Sequence, residues 1–226
     1  GYGSKNTLLI HADLFFYKDP KILIDESKNS SCIISKHNYS DGYDQTKTSG
    51  IYCVQFMHFK NDYLGNKILL DWRNQCIKWC FNRFEDNKFG DQKYLDIWPK
   101  KYEGVHVLNN LGGGVAPWNV QQYKVLKKLK LQIKKTHLKF DLVFFYFHNL
   151  KFINKNKTYI GGYKIDENIK KKIYKPYLKK MLIIHNKLKK EKNIKDINLN
   201  ESYFVGGIFF IRLIKRFIFN SNFLKN

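Results

Sequence analysis

Short apolar runs that end in polar residues recur along the chain and predict β-strands whose ends open onto a site. Residues 7–10 form the first run and lead to His11 and Asp13. Residues 142–147 form an apolar, aromatic run that ends at His148. The first run predicts a buried strand, and the second predicts a central one. Because ligands of α/β folds bind at strand ends, both ends are candidate sites.

Three further segments predict strands because they are apolar or rich in β-forming residues. They are residues 31–36 (SCIISK), 50–56 (GIYCVQF) and 105–108. Residues 39–49 are polar and show no periodicity, so they predict a loop. This loop would enter the second of the three strands at Gly50.

Apolar residues recur every three or four positions between residues 66 and 84, which is the period of an amphipathic helix. A short helix is predicted at residues 21–26. Another is predicted from residue 176 to about residue 190, because proline is favoured in the first turn of a helix. These helices lie between the predicted strands or after them.

The dipeptide Gly90-Asp91 marks the start of a short predicted helix at residues 92–96, which Pro99 would stop. Asp91 would then be the N-cap of that helix. Capping fixes one carboxylate oxygen and leaves the other able to contact a substrate. A capping role and a chemical role for Asp91 are therefore both open.

A glycine run follows the strand predicted at residues 105–108. The stretch at residues 109–114 ends in Gly112, Gly113 and Gly114. Glycines lack the Cβ atoms that keep a ligand away from the backbone, so this loop is a candidate binding loop.

Length and composition predict one domain over residues 1–226. The chain has 226 residues, of which 43% are hydrophobic, so it can bury one sizeable core. Its four cysteines form no CxxC pair and no zinc-like spacing with histidine, and they are interpreted as small apolar residues of a reducing cytoplasm. No signal peptide and no apolar run long enough to span a membrane is predicted.

The formal net charge of +22 raises the question of an anionic partner. Arginine, which suits bidentate recognition of phosphates and bases, accounts for only four of the 41 basic residues, so nucleic acid is the least favoured partner. Solvated surface charge is the first interpretation, and attraction to anionic membranes or nucleotide diphosphates is the second. Residues 203–226 are apolar with basic residues at their centre. They predict a terminal core element or an amphipathic membrane-surface tail.

One resemblance connects these segments. Residues 8–20 (LLIHADLFFYKDP) resemble the metal-binding DxD segment of glycosyltransferases with the GT-A fold, of the bacterial surface-polysaccharide type and distantly like the family 8 enzymes. Four later segments resemble parts of the same enzymes in the same order: 49–56 (SGIYCVQF), 89–98 (FGDQKYLDIW), 111–119 (LGGGVAPWN) and 145–152 (FYFHNLKF). The resemblance covers roughly residues 7–178. It implies an α/β fold, namely a partial GT-A (Rossmann-like) mixed sheet flanked by helices.

The resemblance also implies a metal site. Asp13 would be the second carboxylate of the DxD motif, His11 stands at the position of the first, and His148 would complete the metal shell. Lys151 would contact the donor diphosphate. The expected ion is Mn²⁺ or Mg²⁺, and the imidazole at position 11 favours Mn²⁺ because it brings no negative charge.

Other residues would hold the sugar. Asp91 would contact the donor sugar or act on the acceptor, with Gln92 beside it as the second catalytic residue. Gly50, Gly113 and Gly114 would line the donor.

The implied activity is metal-dependent transfer of a sugar from a nucleotide-diphosphate donor to a glycan or lipid-linked acceptor. The enzyme would be cytoplasmic and could rest on the inner membrane face, where an anionic membrane surface would be a further partner. Relative to GT-A enzymes, we expect the βαβ unit that precedes the metal strand to be absent from this sequence, either because the sequence is a fragment, because the base-binding part is supplied otherwise, or because the sequence is a decayed copy. Together with His11, this motivates an alternative, a catalytically inactive remnant that acts as a binding module.

Overall fold

The computed structural model describes residues 5–154, 157–192 and 223–225. The chain divides into two compact units, Gly1–Tyr146 and Phe147–Asn226. The first unit contains a mixed β-sheet with helices, so the predicted α/β class and mixed sheet are confirmed.

The main sheet of the first unit has four strands in the order β1-β4-β3-β5. They are β1 (Asn6–Ile10), β3 (Cys32–Lys36), β4 (Tyr52–Lys60) and β5 (Val105–Val107). Strand β4 runs antiparallel to both neighbours, whereas β3 and β5 are parallel. Strands β1, β3 and β5 therefore point the same way, and their carboxyl ends lie at one edge of the sheet.

Each face of this sheet packs against an apolar cluster. Helix α3 (Tyr63–Lys78) covers one face, where Ile68 and Trp72 pack with Val54 and Met57 of β4. On the other face Leu23, from the short helix α1 (Lys21–Ile24), belongs to a cluster that also contains Ile33, Phe56, Leu108, Val143 and Phe144. The sheet is thus covered on both faces at β4, which explains why that strand is buried along almost its whole length although it includes the polar residues Gln55 and His58.

Strand β1 is an outermost strand of the sheet, with a neighbouring strand on one side. The prediction of a buried strand is therefore wrong in burial although correct in position. Leu8 and Ile10 are 38% and 46% exposed, because β4 is the only strand that pairs with β1 among the described residues. Apolar composition therefore did not distinguish an edge strand from a central one.

The second apolar run also differs from its prediction. Only Phe144–Tyr146 form a strand, β9, which pairs with β2 (Leu14–Phe16) in a two-stranded sheet. The side chains of β9 are nevertheless buried. Burial in this part of the chain comes from packing of aromatic rings and not from a central position in a large sheet.

The most regular helix is displaced toward the amino terminus from its predicted bounds of 66–84. Helix α3 begins at Tyr63 because Asp62 is its N-cap and accepts a hydrogen bond from the Gly65 N–H at 2.8 Å. It ends at Lys78 because Trp79 has extended backbone angles. The helical spacing of apolar residues beyond Lys78 was therefore coincidental.

The polar segment at residues 39–49 is less irregular than predicted. It contains a 3₁₀ turn, Asp41–Tyr43, and a one-turn helix, α2 (Thr46–Ser49). Strand β4 then begins two residues later than predicted, at Tyr52, and continues to Lys60.

The helix predicted at residues 92–96 is a 3₁₀ helix, Lys93–Ile97, whose N-cap residue is Gln92. The one-turn helix α4 (Trp98–Lys101) follows directly, with Pro99 in its first turn. Proline therefore starts a helical turn here and does not stop one, in keeping with its tolerance at this position. A separate antiparallel sheet contains β6 (Tyr123–Val125), β7 (Lys130–Ile133) and β8 (Lys139–Asp141).

The second unit contains a three-stranded antiparallel sheet and a helical segment. The strands are β10 (Lys151–Asn154), β11 (Lys157–Tyr159) and β12 (Phe223–Lys225). The helical part is α5 (Glu167–Ile169), a π-helical turn (Lys170–Tyr174) and α6 (Lys175–Lys192). The helix predicted near residue 176 is therefore confirmed.

Apart from β12, the tail predicted at residues 203–226 lies outside the described residues. Among the helices that are described, none is long and apolar enough to cross a membrane.

Candidate functional site

Polar segments follow the three parallel strands of the main sheet at their shared edge. His11 and Asp13 follow β1, His37 follows β3, and the loop containing the glycine run follows β5. The carboxyl ends of parallel strands are where α/β proteins bind ligands. The topology of the first unit therefore brings these segments to one edge of the sheet.

His11 is held in place through both its backbone and its side chain. Its N–H donates to the Gln55 carbonyl at 3.0 Å, and its own carbonyl accepts from the Leu14 N–H at 3.3 Å. Its Nδ1 lies 2.8 Å from the Tyr146 hydroxyl, and the two rings meet edge to face at 5.4 Å. With Nδ1 engaged, Nε2 is the ring nitrogen that can face a ligand.

Asp13 lies in the tight turn that links β1 to β2, and its side chain is half-buried. Its carboxylate and that of Asp91 both act electrostatically on the thiol of Cys53, near the start of β4. Burial, with smaller contributions from the carboxylates of Asp91 and Asp13, raises the pKa of the Cys53 thiol to about 12. Both carboxylates are therefore within electrostatic reach of Cys53.

Asp91 is half-buried, and it is not the N-cap that the sequence predicted, because Gln92 occupies that position. Burial raises the pKa of the Asp91 carboxyl, while its own backbone N–H and the His11 imidazole act in the opposite direction. Its carbonyl accepts a 2.8 Å hydrogen bond from the Trp72 indole. The backbone of Asp91 is thus anchored to α3 while its carboxyl lies near His11.

The donor set at this edge suits a hard divalent ion only in part. No group of three or more His, Cys, Asp or Glu side chains within the described residues is arranged to hold a metal ion. His11 and Asp13 offer one imidazole nitrogen and one carboxylate. Ions such as Mg²⁺ commonly take one or two protein ligands and complete their shell with water and substrate phosphates, and the His11–Asp13 pair is compatible with such a site.

The sequence did not single out Trp118 and Asn119, which hold the backbone at this edge of the sheet by hydrogen bonds. The side-chain amide of Asn119, which is fully buried, donates to the carbonyls of His37 (2.8 Å) and Gly114 (2.7 Å) and accepts from the Ala116 N–H at 3.0 Å. The Trp118 indole donates to the same His37 carbonyl at 2.8 Å. Both residues belong to the PWN segment at 117–119, but neither carries a charge, so nothing in the sequence indicated this structural role.

Gln55 is a second residue that the sequence did not single out. Its side chain is fully buried on β4, and its Nε2 lies 3.4 Å from the Ser35 hydroxyl. Its Oε1 has no hydrogen-bond partner within the described part of the chain. A buried acceptor without a partner is costly, and at a strand-end site it is a candidate ligand contact.

Glu26 anchors the loop that carries the glycine run. Its carboxylate accepts the backbone N–H groups of Asn109 (2.6 Å) and Asn110 (2.9 Å) and contacts the His106 ring at 2.7 Å. Burial favours the neutral carboxyl, but these hydrogen bonds outweigh it and hold the pKa of Glu26 below its usual value. The entry to the loop is therefore fixed.

The predicted ligand-lining glycines are closely packed. A Cβ on Gly113 would stand 2.6 Å from the Leu23 side chain, and one on Gly114 would stand 3.5 Å from the Lys36 carbonyl. Gly50 has a positive φ of 100°, and a Cβ there would lie 2.9 Å from Asp96 Oδ1. Packing alone thus explains glycine at positions 50 and 113, and a donor-binding role for these glycines stays a prediction.

Three further predicted residues are Gln92, His148 and Lys151. Gln92 is half-buried, and its side chain makes no capping hydrogen bond. His148 and Lys151 belong to the second unit, where His148 is half-buried in a turn and Lys151 is exposed at the start of β10. Their predicted roles rest on the resemblance.

Two relatives from Bacillus subtilis (strain 168) were found by comparison with known proteins. "Uncharacterized protein YfnD" is 30% identical over 175 residues, covering 74% of this chain and 54% of YfnD. "Uncharacterized protein YfnF" is 30% identical over 121 residues, covering 50% of this chain and 40% of YfnF. The chain thus spans about half the length of the curated relatives it matches. No family model and no solved structure matches it.

Proposed function

We propose that this chain is part of a GT-A glycosyltransferase that moves a sugar from a nucleotide-diphosphate donor to a glycan or lipid-linked acceptor at the cytoplasmic face of a membrane. The observation that carries the proposal is that His11 and Asp13 follow β1 at the carboxyl edge of the parallel strands, with the carboxyl of Asp91 close enough to His11 for their charges to interact. These are three of the residues to which the resemblance assigns chemistry.

Each residue has a physical role in this proposal. Asp13 and the Nε2 of His11 would hold a divalent ion, which supplies positive charge to a leaving diphosphate when bound. The Tyr146 hydroxyl would orient the imidazole by holding its Nδ1. Asp91, whose pKa burial raises, would accept a hydrogen bond or a proton from the acceptor hydroxyl.

A catalytically inactive binding module is the second candidate function. The observation that favours it is the imidazole of His11 at a position where the related enzymes carry a carboxylate. An imidazole leaves the site with less negative charge to attract a cation. Such a module would still bind a nucleotide diphosphate but would not break its bond to a sugar.

Turnover distinguishes the two functions. The full chain is incubated with Mn²⁺ and a panel of UDP- and GDP-sugars, and released UDP or GDP is measured with and without candidate acceptor sugars. Release that depends on Mn²⁺ and is lost in Asp91→Asn supports the transferase. Nucleotide binding without release from any donor supports the binding module.

A further inference from the structure

A polar groove of about 520 Å³ lies beside the candidate site in the first unit. Its volume is within the range of about 300–1,000 Å³ that is typical of small-molecule sites. Its lining consists of Lys36, Asn38, Tyr39, Asp41, Asp44, Thr46, Ile51 and Gln122. Lys36 ends β3 and Ile51 immediately precedes β4, so the groove opens at the same edge of the sheet as the strand-end segments.

The aromatic wall of the groove is held in place by buried groups. The ring of Tyr39 stacks on that of His37 at 4.6 Å with an angle of 12° between the planes. His37 is 3% exposed, and its Nδ1 lies 3.0 Å from the Gly50 carbonyl oxygen. The Tyr39 ring therefore lies on a fixed support, as a preorganised binding surface requires.

The polar lining supplies hydrogen-bonding groups in defined orientations. The side-chain Nε2 of Gln122 donates to the Asn38 carbonyl at 2.7 Å, so its Oε1 is the atom that can accept from a ligand. Asp44 Oδ1 accepts from the Thr46 N–H at 2.8 Å, and the Thr46 side chain is a second hydrogen-bond partner of the same carboxylate, so the position of the Asp44 side chain is fixed. These amide and carboxylate oxygens are acceptors for hydroxyl groups.

The charge of the groove disfavours a phosphate-bearing ligand. The lining contains two carboxylates, Asp41 and Asp44, and one ammonium group, that of Lys36, in a chain whose formal net charge is +22. Lys135 lies 3.8 Å from Asp41, but both side chains are almost fully exposed, so this pair contributes little. A neutral, hydroxyl-rich ligand with an apolar face for the tyrosine ring fits this lining better than a diphosphate does.

Aromatic rings connect the groove to His11. The Trp118 ring contacts the rings of His37 and Tyr146, each edge to face at 5.3 Å, and the Tyr146 hydroxyl meets His11 Nδ1. The rings of Trp118 and Tyr146 thus lie between the groove and the candidate donor site. A ligand in the groove would lie next to the donor site without overlapping it.

We propose that this groove binds a saccharide through Tyr39, Asp44 and Gln122 and is the acceptor subsite of the transferase. Its assignment to the acceptor rests on the proposed function, whereas saccharide binding itself does not. The ligand class follows from the aromatic face, the acceptor oxygens and the excess of negative charge.

Saturation-transfer NMR with the full chain tests the proposal. The probes are methyl glycosides of glucose, galactose, rhamnose and N-acetylglucosamine at millimolar concentration. We expect a signal from at least one of them that Tyr39→Phe retains and Tyr39→Ala loses. Ile51→Trp should occlude the groove and weaken binding by about tenfold or more, which corresponds to about 1.4 kcal/mol. Ile183→Trp, at an exposed isoleucine of the second unit, should bind like the original chain.

Titration of the same variants with UDP and Mn²⁺ separates the two proposals. Nucleotide binding that Ile51→Trp leaves unchanged, together with loss of the saccharide signal, supports the acceptor subsite. Absence of a saccharide signal in the original chain, or its persistence in Ile51→Trp, overturns the groove proposal whatever the nucleotide result. Saccharide binding without any nucleotide binding overturns the glycosyltransferase and leaves the groove as a saccharide site.

Discussion

The Nδ1 atom of His11 lies 2.8 Å from the hydroxyl oxygen of Tyr146, although 135 positions separate the two residues in the sequence. This contact ties the end of β1 to the end of β9 and fixes the plane of the imidazole. An imidazole held at one nitrogen presents the other in a defined direction, which is how proteins orient metal-binding histidines.

Removing the Tyr146 hydroxyl should therefore weaken binding of the metal with its nucleotide more than it weakens folding. We expect Tyr146→Phe to lower the Mn²⁺-dependent affinity for UDP or GDP by about 10–100-fold, as loss of outer-shell partners commonly does. The free energy of unfolding should change by only about 1 kcal/mol. Calorimetric titration and urea unfolding measure the two effects. Tyr123→Phe, at another buried tyrosine, is the control and should leave the nucleotide affinity unchanged. Equal nucleotide affinities in the two variants would disprove the orienting role of Tyr146.

Exchange of His11 for aspartate should change which metal supports binding. His11→Asp adds a negative charge beside Asp13, so Mg²⁺, which prefers oxygen ligands, should gain relative to Mn²⁺. The measurement is the ratio of nucleotide affinities in Mn²⁺ and in Mg²⁺. His137→Asp places the same charge on an exposed loop and should leave this ratio as it was. An unchanged ratio in His11→Asp would remove His11 from the metal site.

His58 should make folding sensitive to acid. It is 5% exposed, and neither ring nitrogen has a hydrogen-bond partner among the described residues. Burial lowers the pKa of His58 in the folded state, so the neutral ring is favoured there. The unfolded chain takes up this proton below a pH of about 6.5, and the free energy of unfolding therefore falls as pH drops below that value.

Replacing His58 with phenylalanine removes both the titratable ring and its two buried nitrogens without hydrogen-bond partners among the described residues. We expect His58→Phe to be more stable at neutral pH by about 1 kcal/mol, with an advantage that grows as the medium is acidified. Urea unfolding across this pH range gives the comparison. His137→Asn controls for the loss of an exposed histidine, because asparagine tolerates the positive φ of 60° at that position. A constant difference at all pH values would show that His58 does not carry this effect.

The start of helix α3 depends on a glycine. A Cβ on Gly65 would stand 2.1 Å from the Lys60 carbonyl oxygen and 2.9 Å from that of Ser31. We expect Gly65→Ala to lower the free energy of unfolding by about 2 kcal/mol or more, because backbone atoms must shift. At Gly42 a Cβ meets nothing within 4 Å, so Gly42→Ala should be near neutral in the same urea titration. Equal stability of the two variants would contradict the packing at Gly65.

The sequence was informative where local pattern determines structure. Apolar runs located β1, β3 and β5, and the polar residues that follow them include His11 and Asp13. Burial of β1 could not be predicted, since an edge position depends on which strands pair. The start of α3 was missed because the capping residue Asp62 precedes the apolar period.

The site was predictable only for residues whose chemistry is visible in one segment. The support that Asn119 gives to the strand edge comes from three hydrogen bonds to backbone groups, one of them 82 positions away. Tyr146 contacts His11, which lies 135 positions earlier in the sequence. Such pairings are decided by tertiary packing, which no local pattern encodes.

The most direct test of a metal-dependent nucleotide site is calorimetric titration of UDP and GDP into the chain with and without Mn²⁺, compared with Asp13→Asn. The control is Asp86→Asn, which removes a carboxylate that is 78% exposed. We predict Mn²⁺-dependent binding that Asp13→Asn weakens by at least about 10–100-fold, since Asp13 would be a direct ligand, and that Asp86→Asn preserves. Mn²⁺-dependent binding of equal strength in Asp13→Asn and Asp86→Asn would contradict the proposed site.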